Sequence, residues 1–343
     1  MRSEPLKCLA VTTLLMVANQ GWANDIQNLF TSQETLRVSL SLPLKTLLKN
    51  KDDKTRVSGL LLINGQTIEV GVIPRGKSRL ARCKFPPLWL DLKKKQTTGT
   101  PFAGQNRLKL VTHCADNLES RGYLAAEMLT YRLFNLITPY SYRVRALTIT
   151  YTDTDSGKNR THHGFVIEHK KQLAKRLELE LLDTPKLRLA DLDTTYTSLA
   201  NTFQYMIGNT DFSFSQGPPG DDCCHNTTPV KDLDERVFSI PYDFDSSGIV
   251  NPPYAVPAEN LGLRRLTQRK FRGFCRHNQG LQQSRDRFID LQNNIRQTIE
   301  EFDEIPHLNR PRVAKFIEGF YKTLSNDRSY SRKIESACRK GKR

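Results

Sequence analysis

The chain has 343 residues, a formal net charge of +16, 38% hydrophobic residues and 8% aromatic residues. This composition lies near the globular average, which excludes a collagen, a coiled coil, a small disulfide scaffold and wholesale disorder. The length exceeds the usual single core of roughly 100–200 residues, so we expect one bilobal domain or two domains.

The N-terminus has the pattern of a signal peptide. Arg2 and Lys7 precede a short apolar run, Cys8–Ala18, and Gly21-Trp22-Ala23 forms a cleavage motif. The run is shorter than the roughly 20 residues that a spanning helix needs, and no later stretch is long enough either. We therefore expect residues 1–23 to be removed and the mature protein to be exported, to a periplasm or out of the cell, without a transmembrane segment.

The cysteine count fits export, because six cysteines remain after Cys8. Cys83 and Cys114 flank two predicted strands, and we expect them to pair. The adjacent Cys223 and Cys224 are expected to take separate partners, Cys275 and Cys338. The alternative is a zinc site, although no Cys-x-x-Cys spacing is present. Its ligands would come from Cys223, Cys224, His225, Cys275 and His277.

Basic residues are clustered in three segments. Eight Lys or Arg residues lie between Arg75 and Lys95, six between Arg264 and Arg276, and seven from Arg328 onward. Such clusters attract phosphates, acidic polysaccharide or an anionic membrane surface, although a solvated surface is the commoner explanation of any single run. No nucleic-acid-binding motif accompanies them, so we expect no nucleic-acid partner.

The first half is predicted to be rich in strands. Val57–Ile63 and Thr67–Ile73 flank Asn64-Gly65, a strong hairpin signal. Further strands are predicted at Leu88–Leu92, Arg107–Thr112, Arg143–Tyr151 and His163–Glu168. Apolar residues at helical spacing predict one helix over Glu119–Ile137.

The second half is predicted to be mostly helical. Helices are expected at Leu189–Ile207, Leu263–Phe274, Gly280–Glu304 and Arg312–Leu324, with one short strand at Val237–Pro241. The fold class is therefore α+β. We expect a β-rich lobe with one helix over residues 24–170, followed by a helical lobe with a basic tail over residues 171–343.

A few polar residues in this frame are candidates for chemistry. Lys109 lies on a predicted strand and Glu127 on the following helix. Asp211 follows a long helix, and Asn226 comes fifteen residues later. The functional interpretation competes in each case with a solvated side chain or an ordinary turn residue.

The segment Pro241-Tyr242-Asp243-Phe244-Asp245 is the most informative. Asp243 and Asp245 lie on one side of an extended chain at the end of a strand. Two such carboxylates can bind Mg²⁺ or Mn²⁺. Phosphoryl transfer uses a strand lysine braced by a helix glutamate, metal-binding carboxylates and an acidic base, and the candidates appear in the order that a protein-kinase-like fold requires. The usual kinase signatures, Gly-x-Gly-x-x-Gly, His-Arg-Asp and Asp-Phe-Gly, are missing.

From about Val70 to Gly248 the chain resembles the CotH family, atypical secreted kinases named for a spore-coat protein kinase. The resemblance rests on a few motifs along this part of the chain. These are Arg75-Gly76-Lys77-Ser78, Lys109, Tyr123–Glu127, Gly164–Glu168, Asn209-Thr210-Asp211, Asn226 and Pro241–Asp245. The segment between Asp211 and Asn226 is longer than the family pattern, and Tyr242 stands where the family has Trp.

The resemblance implies a protein-kinase-like bilobal fold and an ATP-dependent phosphotransferase that acts on Ser or Thr of a protein, or on another hydroxyl acceptor. It implies catalytic roles for Asp211, Lys109 and Glu127. Nucleotide binding falls to Arg75, Lys77, Ser78 and Lys109, and metal binding to Asp243, Asp245 and Asn226. The alternative function is a catalytically silent form of the same fold that binds an anionic polymer or a partner in the envelope. An unrelated exported hydrolase is weakened by the absence of Gly-x-Ser-x-Gly and His-Glu-x-x-His.

Overall fold

The computed structural model of the protein describes residues 29–259 and 261–341. The predicted signal peptide lies outside these residues. Seven strands form one sheet that closes on itself in the order β1-β2-β3-β4-β5-β7-β6. They are β1 (Leu36–Leu42), β2 (Val57–Ile63), β3 (Gln66–Pro74), β4 (Leu88–Leu92), β5 (Arg107–Val111), β6 (Val144–Asp153) and β7 (Asn159–Ile167).

The predicted kinase-like bilobal fold, with its open sheet, is wrong. The finding that overturns it is the pairing of β1, a strand that we did not predict. β1 runs antiparallel to β2 on one side and parallel to β6 on the other, with Leu36 opposite Leu147 and Leu42 opposite Asp153. This second pairing removes both free edges of the sheet and makes a closed barrel. The α+β mixture itself agrees with the prediction.

Alternation of apolar residues explains why β1 closes the barrel. Val38, Leu40 and Leu42 point inward and are buried, whereas the intervening side chains are not. A one-residue slip against β6 would turn this set outward, so the barrel core fixes the register. That core also contains buried residues of the other barrel strands, among them Ile68, Leu90, Leu108 and Ile149.

Helices and a small second sheet make up the rest of the described fold. The helices are α1 (Leu44–Lys49), α2 (Ser78–Arg82), α3 (Leu118–Ile137), α4 (Lys170–Arg176), α5 (Thr194–Ile207), α6 (Leu281–Asp290), α7 (Gln292–Glu301), α8 (Arg310–Leu324) and α9 (Asp327–Tyr330). Of these, α1 and α3 contact the barrel strand β6. The second sheet has the order β10-β9-β8, with β8 (Glu180–Leu181), β9 (Thr227–Lys231) and β10 (Val237–Pro241).

Helix α3 joins the barrel to the helical part. Asn117 caps its N-terminus by accepting the Ser120 amide at 2.8 Å. Further along α3, Tyr131 packs edge-on against Phe165 of β7 and also contacts Phe244, at ring distances of 5.8 and 4.7 Å. Phe244, which separates the two candidate carboxylates, is therefore anchored in the core between barrel and helices.

Most predicted elements are confirmed, several to the residue. Two helix predictions are wrong. Residues 263–274 form turns and irregular chain, and the single helix expected over Gly280–Glu304 is two helices, α6 and α7, on either side of Leu291. Two arginines explain the stability of the irregular segment, because they bond backbone carbonyls of other elements. Arg269 reaches Met206 at 3.1 Å, and Arg272 reaches Thr210 and Phe212. The second half also contains two strands that were not predicted, β8 and β9.

The six cysteines of the described residues lie at disulfide distance in three pairs, which is compatible with export. The Cys83–Cys114 pair is confirmed. The prediction for the other four is wrong, because Cys275 pairs with Cys338, and Cys223 pairs with its neighbour Cys224. Within residues 29–259 and 261–341, no helix is both long enough and apolar enough to cross a membrane.

Candidate functional site

Lys109 lies on β5 with its ammonium group between two aromatic rings. Nζ is 4.0 Å from the ring centre of Tyr242 and 5.8 Å from that of Trp89, the residue opposite it on β4. No hydrogen bond or ion pair holds this ammonium group within the described part of the chain. Burial, and next the charge of Arg75, lower the pKa of Lys109 to about 7, against the opposing effect of Asp243. At neutral pH the half-buried amine is therefore only partly charged, and no anionic group of the described residues pairs with it.

Glu127 of α3 does not brace Lys109 as predicted. Its carboxylate forms a buried ion pair with Arg79 of α2. The same guanidinium donates from Nε to Asp245 at 2.7 Å. We call Arg79, Glu127 and Asp245 the buried triad. Arg79 therefore joins α2 to α3 and to the segment after β10. All three side chains are about nine-tenths buried or more.

The buried triad carries two carboxylates for one cation, and its protonation reflects that imbalance. Burial raises the pKa of Glu127 to about 8; Arg79 opposes this rise, and the charges of Asp245 and Asp243 add to it. The pKa of Asp245 is also raised, chiefly by burial. The two acids titrate as a pair, and together they retain a proton near neutral pH.

Asp211 follows the C-terminal end of α5. The helix ends at Gly208, which adopts the left-handed conformation (φ 66°) that glycine reaches without steric cost. Asn209, buried directly after it, accepts the Asp211 amide at 2.8 Å. The chain thereby turns away from the helix, and the Asp211 side chain stays 43% exposed.

Two residues that are adjacent to each other in sequence, His225 and Asn226, hold the Asp211 carboxylate in place. His225 Nε2 lies 2.7 Å from Oδ1, and Asn226 Nδ2 donates to Oδ2 at 3.2 Å and to the Asp211 carbonyl at 2.7 Å. The hydrogen bond to Asp211, and then its charge, raise the pKa of His225. The predicted catalytic residue Asp211 and the predicted metal ligand Asn226 are thus brought together. The Oδ1 atom of Asn226 accepts no hydrogen bond from the described residues.

Asp243 follows β10 in a strained backbone conformation. Its φ is 63°, in the left-handed region, where the Cβ of a non-glycine residue carries a steric cost. The Asp243 amide donates to the Tyr131 hydroxyl at 2.9 Å. Its half-buried carboxylate has no ion-pair partner among the described residues, and its charge acts on Lys109, His225 and Asp245. The charge of Asp243 therefore influences the pKa values of three other groups in and beside the site.

The two loops are tied to each other by their backbones. Asn209 and Ser247 form an isolated β-bridge, and the Gly248 amide donates to the Gly208 carbonyl at 3.1 Å. The approach is close: a Cβ on Gly208 would lie 3.4 Å from the Cα atom of Gly248. This contact sets the position of the Asp211 loop relative to the Asp243 loop.

The loop after β3 contributes less than predicted. The Cζ atom of Arg75 lies 5.2 Å from the ring centre of Trp89, which is also a neighbour of Lys109. Lys77 forms an exposed ion pair with Asp221 at 3.1 Å, and Ser78 is exposed at the start of α2. Only Arg75 of these three therefore shares an aromatic neighbour with Lys109.

The oxygens available for a metal ion are those of Asp243, Asn226 and one oxygen of Asp245. The described residues contain no cluster of three or more His, Cys, Asp or Glu side chains that could hold a metal ion. The zinc alternative loses its ligands because Cys223, Cys224 and Cys275 are paired. These oxygens are of the donor type that Mg²⁺ and Mn²⁺ take, and Mg²⁺ is commonly held by one or two carboxylates and completed by substrate phosphates and water.

Sequence reasoning missed several residues of this site. Arg79 was treated as one of eight cations in a basic cluster, and only its place beside the buried Leu80 and Cys83 distinguishes it. Trp89 and Tyr131 lie within predicted elements, and neither was given a role in the site. His225 was considered only as a zinc ligand.

No protein-family model matches the chain, and no curated protein matches it. The resemblance to the CotH family stays a prediction that rests on the motifs given above.

Proposed function

We propose that the site formed by Lys109, Asp211, Asn226 and Asp243, here called the candidate site, transfers a phosphoryl group from ATP to a hydroxyl acceptor with the help of Mg²⁺ or Mn²⁺. The observation that carries the proposal is the combination of an unpaired ammonium group on β5 and an unpaired carboxylate at Asp243, whose backbone has a positive φ. Both charges lack partners within the described residues, as expected of groups whose partners are a nucleotide and its metal ion.

Lys109 supplies the cation for the phosphates. Its ammonium group is desolvated by Tyr242 and Trp89, so a phosphate oxygen meets a cation that has already lost much of its water. Binding of the anion restores the charged form of the lysine, because a nearby negative charge raises its pKa. Arg75, beside the same tryptophan, adds a second positive charge.

Asp243, with Asn226 Oδ1 and Asp245, would hold the metal ion. A bound Mg²⁺ or Mn²⁺ supplies neutralisation of the charge on the phosphates. Asp243 is the chief ligand of this set, because Arg79 already takes one oxygen of Asp245. The buried triad acts beneath it and fixes the segment that carries Asp243.

Asp211 orients the acceptor and takes its proton. The acceptor hydroxyl donates to the carboxylate, which His225 and Asn226 hold in one orientation. The acceptor oxygen forms its bond to phosphorus while the bond to the leaving nucleoside diphosphate breaks, and the hydroxyl proton passes to Asp211. The resemblance to the CotH family favours Ser or Thr of a protein as acceptor, and a sugar hydroxyl would present the same group.

The test separates binding from turnover. Purified mature protein is heated with ATP and Mn²⁺, where ligand binding raises the unfolding temperature. Asp243→Asn should lose the shift that requires metal. Asp211→Asn should keep the shift and lower phosphate transfer by about 10²–10⁴-fold, the usual effect of losing a general base.

Asp290→Asn is the matched control, because this exposed carboxylate at the end of α6 undergoes the same change of charge outside the candidate site. The control should resemble the parent in both assays. The proposal is wrong if no nucleotide–metal pair stabilises the parent, or if Asp211→Asn transfers phosphate at the parent rate.

A second candidate function, binding of an anionic polymer without catalysis, is favoured by the cations around Trp89. Arg107 and Arg75 lie 4.5 and 5.2 Å from its ring centre, with Lys109 on the same ring. A polymer-binding protein should bind polyphosphate or an acidic polysaccharide equally well with and without metal ions. Such binding should weaken in Arg107→Gln and remain in Asp243→Asn.

A further inference from the structure

A second concentration of positive charge lies at the C-terminal end of α3. A pocket of about 520 Å³ there is lined by four arginines and by no acidic residue. The arginines are Arg132 of α3, Arg143 before β6, Arg176 of α4 and Arg287 of α6. We call it the arginine pocket. None of its lining residues belongs to the candidate site or to the buried triad.

Two of the four arginines are neutralised. Arg176 binds Glu168 through Nε and Nη2, at 2.9 and 2.8 Å. Arg132 donates from Nε to Glu304 at 2.7 Å. Arg132 Nη2 is nevertheless buried without a hydrogen-bond partner among the described residues.

The other two arginines keep their charge unpaired within the described residues. The guanidinium of Arg143 forms no hydrogen bond or ion pair there. Burial, followed by the charge of Arg176, lowers its pKa, and the charge of Glu168 opposes this change. Arg287 makes only long contacts with the carbonyls of Leu136 and Ile137, at 3.4–3.5 Å. Two positive charges thus face one pocket without a counter-charge in its wall.

Polar groups complete the wall between these arginines. Thr138 Oγ1 accepts the Tyr140 amide at 3.3 Å and keeps its own proton to donate. Asn135 and Ser141 are already bonded to each other at 2.9 Å, so they shape the pocket rather than bind. The free donors are therefore guanidinium and hydroxyl groups, which suit a tetrahedral oxyanion.

We propose that the arginine pocket binds a phosphate monoester. Such a group carries a charge of about −1.5 to −2 at pH 7, which matches the two unpaired arginines, and it offers three acceptor oxygens to their guanidinium groups. A carboxylate would leave one of the two charges uncompensated. The proposal is independent of the proposed function, because it uses none of the same residues.

The test is calorimetric titration of the purified mature protein with inorganic phosphate at constant ionic strength. The parent should show saturable binding. Arg143→Gln and Arg287→Gln should each weaken it by about tenfold, since each removes a charge-assisted hydrogen bond. Arg287 is exposed, so its replacement tests the pocket even where the loss of the half-buried Arg143 disturbs folding.

Two controls isolate the pocket. Arg265→Gln removes an exposed arginine elsewhere on the surface and should bind phosphate like the parent. Sodium acetate at the same ionic strength should bind at least tenfold more weakly than phosphate.

Vesicles of phosphatidylcholine with and without phosphatidic acid distinguish the source of the phosphate group. Binding to the phosphatidic acid vesicles that is lost in Arg287→Gln assigns the pocket to a lipid headgroup. Binding of inorganic phosphate alone assigns it to a soluble ester. The proposal is overturned if the parent shows no saturable phosphate binding, if the two pocket variants bind phosphate as the parent does, or if acetate binds equally well.

Discussion

The ammonium group of Lys109 is half-buried beside two aromatic rings, and its pKa is lowered to about 7. The fraction of charged lysine should therefore fall as the pH rises through 7. We predict that ATP binding weakens between about pH 6 and pH 8 because the cation that meets the phosphates is lost. Titration with a fluorescent nucleotide at several pH values measures this dependence.

Two substitutions test whether Lys109 is the group that causes this pH dependence. Lys109→Arg keeps a charge at every pH in this range, so its affinity should change little with pH. Lys109→Met should bind weakly throughout. A parent and a Lys109→Arg variant with the same pH dependence would show that another group titrates.

The buried triad makes a prediction about stability. The pKa of Glu127 is about 8 in the folded protein and 4.5 ordinarily, so between these pH values the folded state holds a proton that the unfolded state has released. The free energy of unfolding should therefore decrease as the pH rises from about 5 to about 8. Glu127→Gln cannot titrate and should flatten this decrease. Urea denaturation of parent and variant across that range is the measurement, and identical slopes would contradict the assignment.

Residue types and their order were enough to single out Lys109, Asp211, Asn226 and Asp243 as candidates, because few side chains suit each role. Lys109 lies within β5, Asp211 follows α5 and Asp243 follows β10, three elements that were predicted. The partner of Glu127 was not predictable. Arg79 and Lys109 are both cations near strands in the sequence, and which of them reaches Glu127 depends on how α2 packs against α3. That packing is tertiary and has no local signature.

At the scale of elements, the contact between the end of α5 and the segment after β10 positions Asp211 and Asp243. A Cβ on Gly248 would lie 2.8 Å from the Leu266 carbonyl oxygen and 2.9 Å from the Phe316 ring. We predict that Gly248→Ala lowers the free energy of unfolding by about 1–3 kcal/mol, the usual cost of overpacking, and reduces ATP turnover as well.

Gly319→Ala is the matched control for that substitution. Gly319 lies inside α8, and its added Cβ would lie 3.3 Å from Nη1 of Arg269, a contact that a shift of a few tenths of an ångström relieves. Alanine is the better helix former, so this variant should be as stable as the parent or more stable. A Gly248→Ala variant as stable as Gly319→Ala would contradict the close approach.

Elements with a strong local pattern were predicted well, and those stabilised from a distance were not. β2, β4 and β10 have the predicted bounds, because each is an apolar run closed by turn residues or charges. The helix predicted over residues 263–274 fails because Arg269 and Arg272 bond carbonyls of distant elements. Their spacing looks like that of an exposed helix face, and the alternative bonds are invisible in the sequence.

For the whole molecule, the Cys275–Cys338 disulfide closes a long loop around α6 to α9, with 63 residues of separation. We predict that the Cys275→Ala/Cys338→Ala double variant loses about 2–4 kcal/mol of stability, because the unfolded chain regains the freedom that the bridge removes. Urea denaturation of the oxidised parent and the variant gives the difference. A difference below about 0.5 kcal/mol would show that the bridge adds little constraint.

The closure of the barrel was the largest failure of prediction. Strand counting indicated a β-rich first half correctly, but strands alone do not say whether the last one returns to the first. That outcome depends on the twist of the sheet and on the β1 register, both of which are set by packing across the barrel core.

The pairing of β1 with β6 also has a consequence for the order of folding. The two strands are separated by about a hundred residues, so the first strand of the barrel cannot acquire its second neighbour until the sixth has been made. Pairings this distant in sequence form slowly. Until β6 pairs with β1, the partly formed sheet has open edges that can pair with other chains. Early truncations that end before β6 should therefore aggregate, whereas chains that include β6 and β7 have the means to seal the sheet.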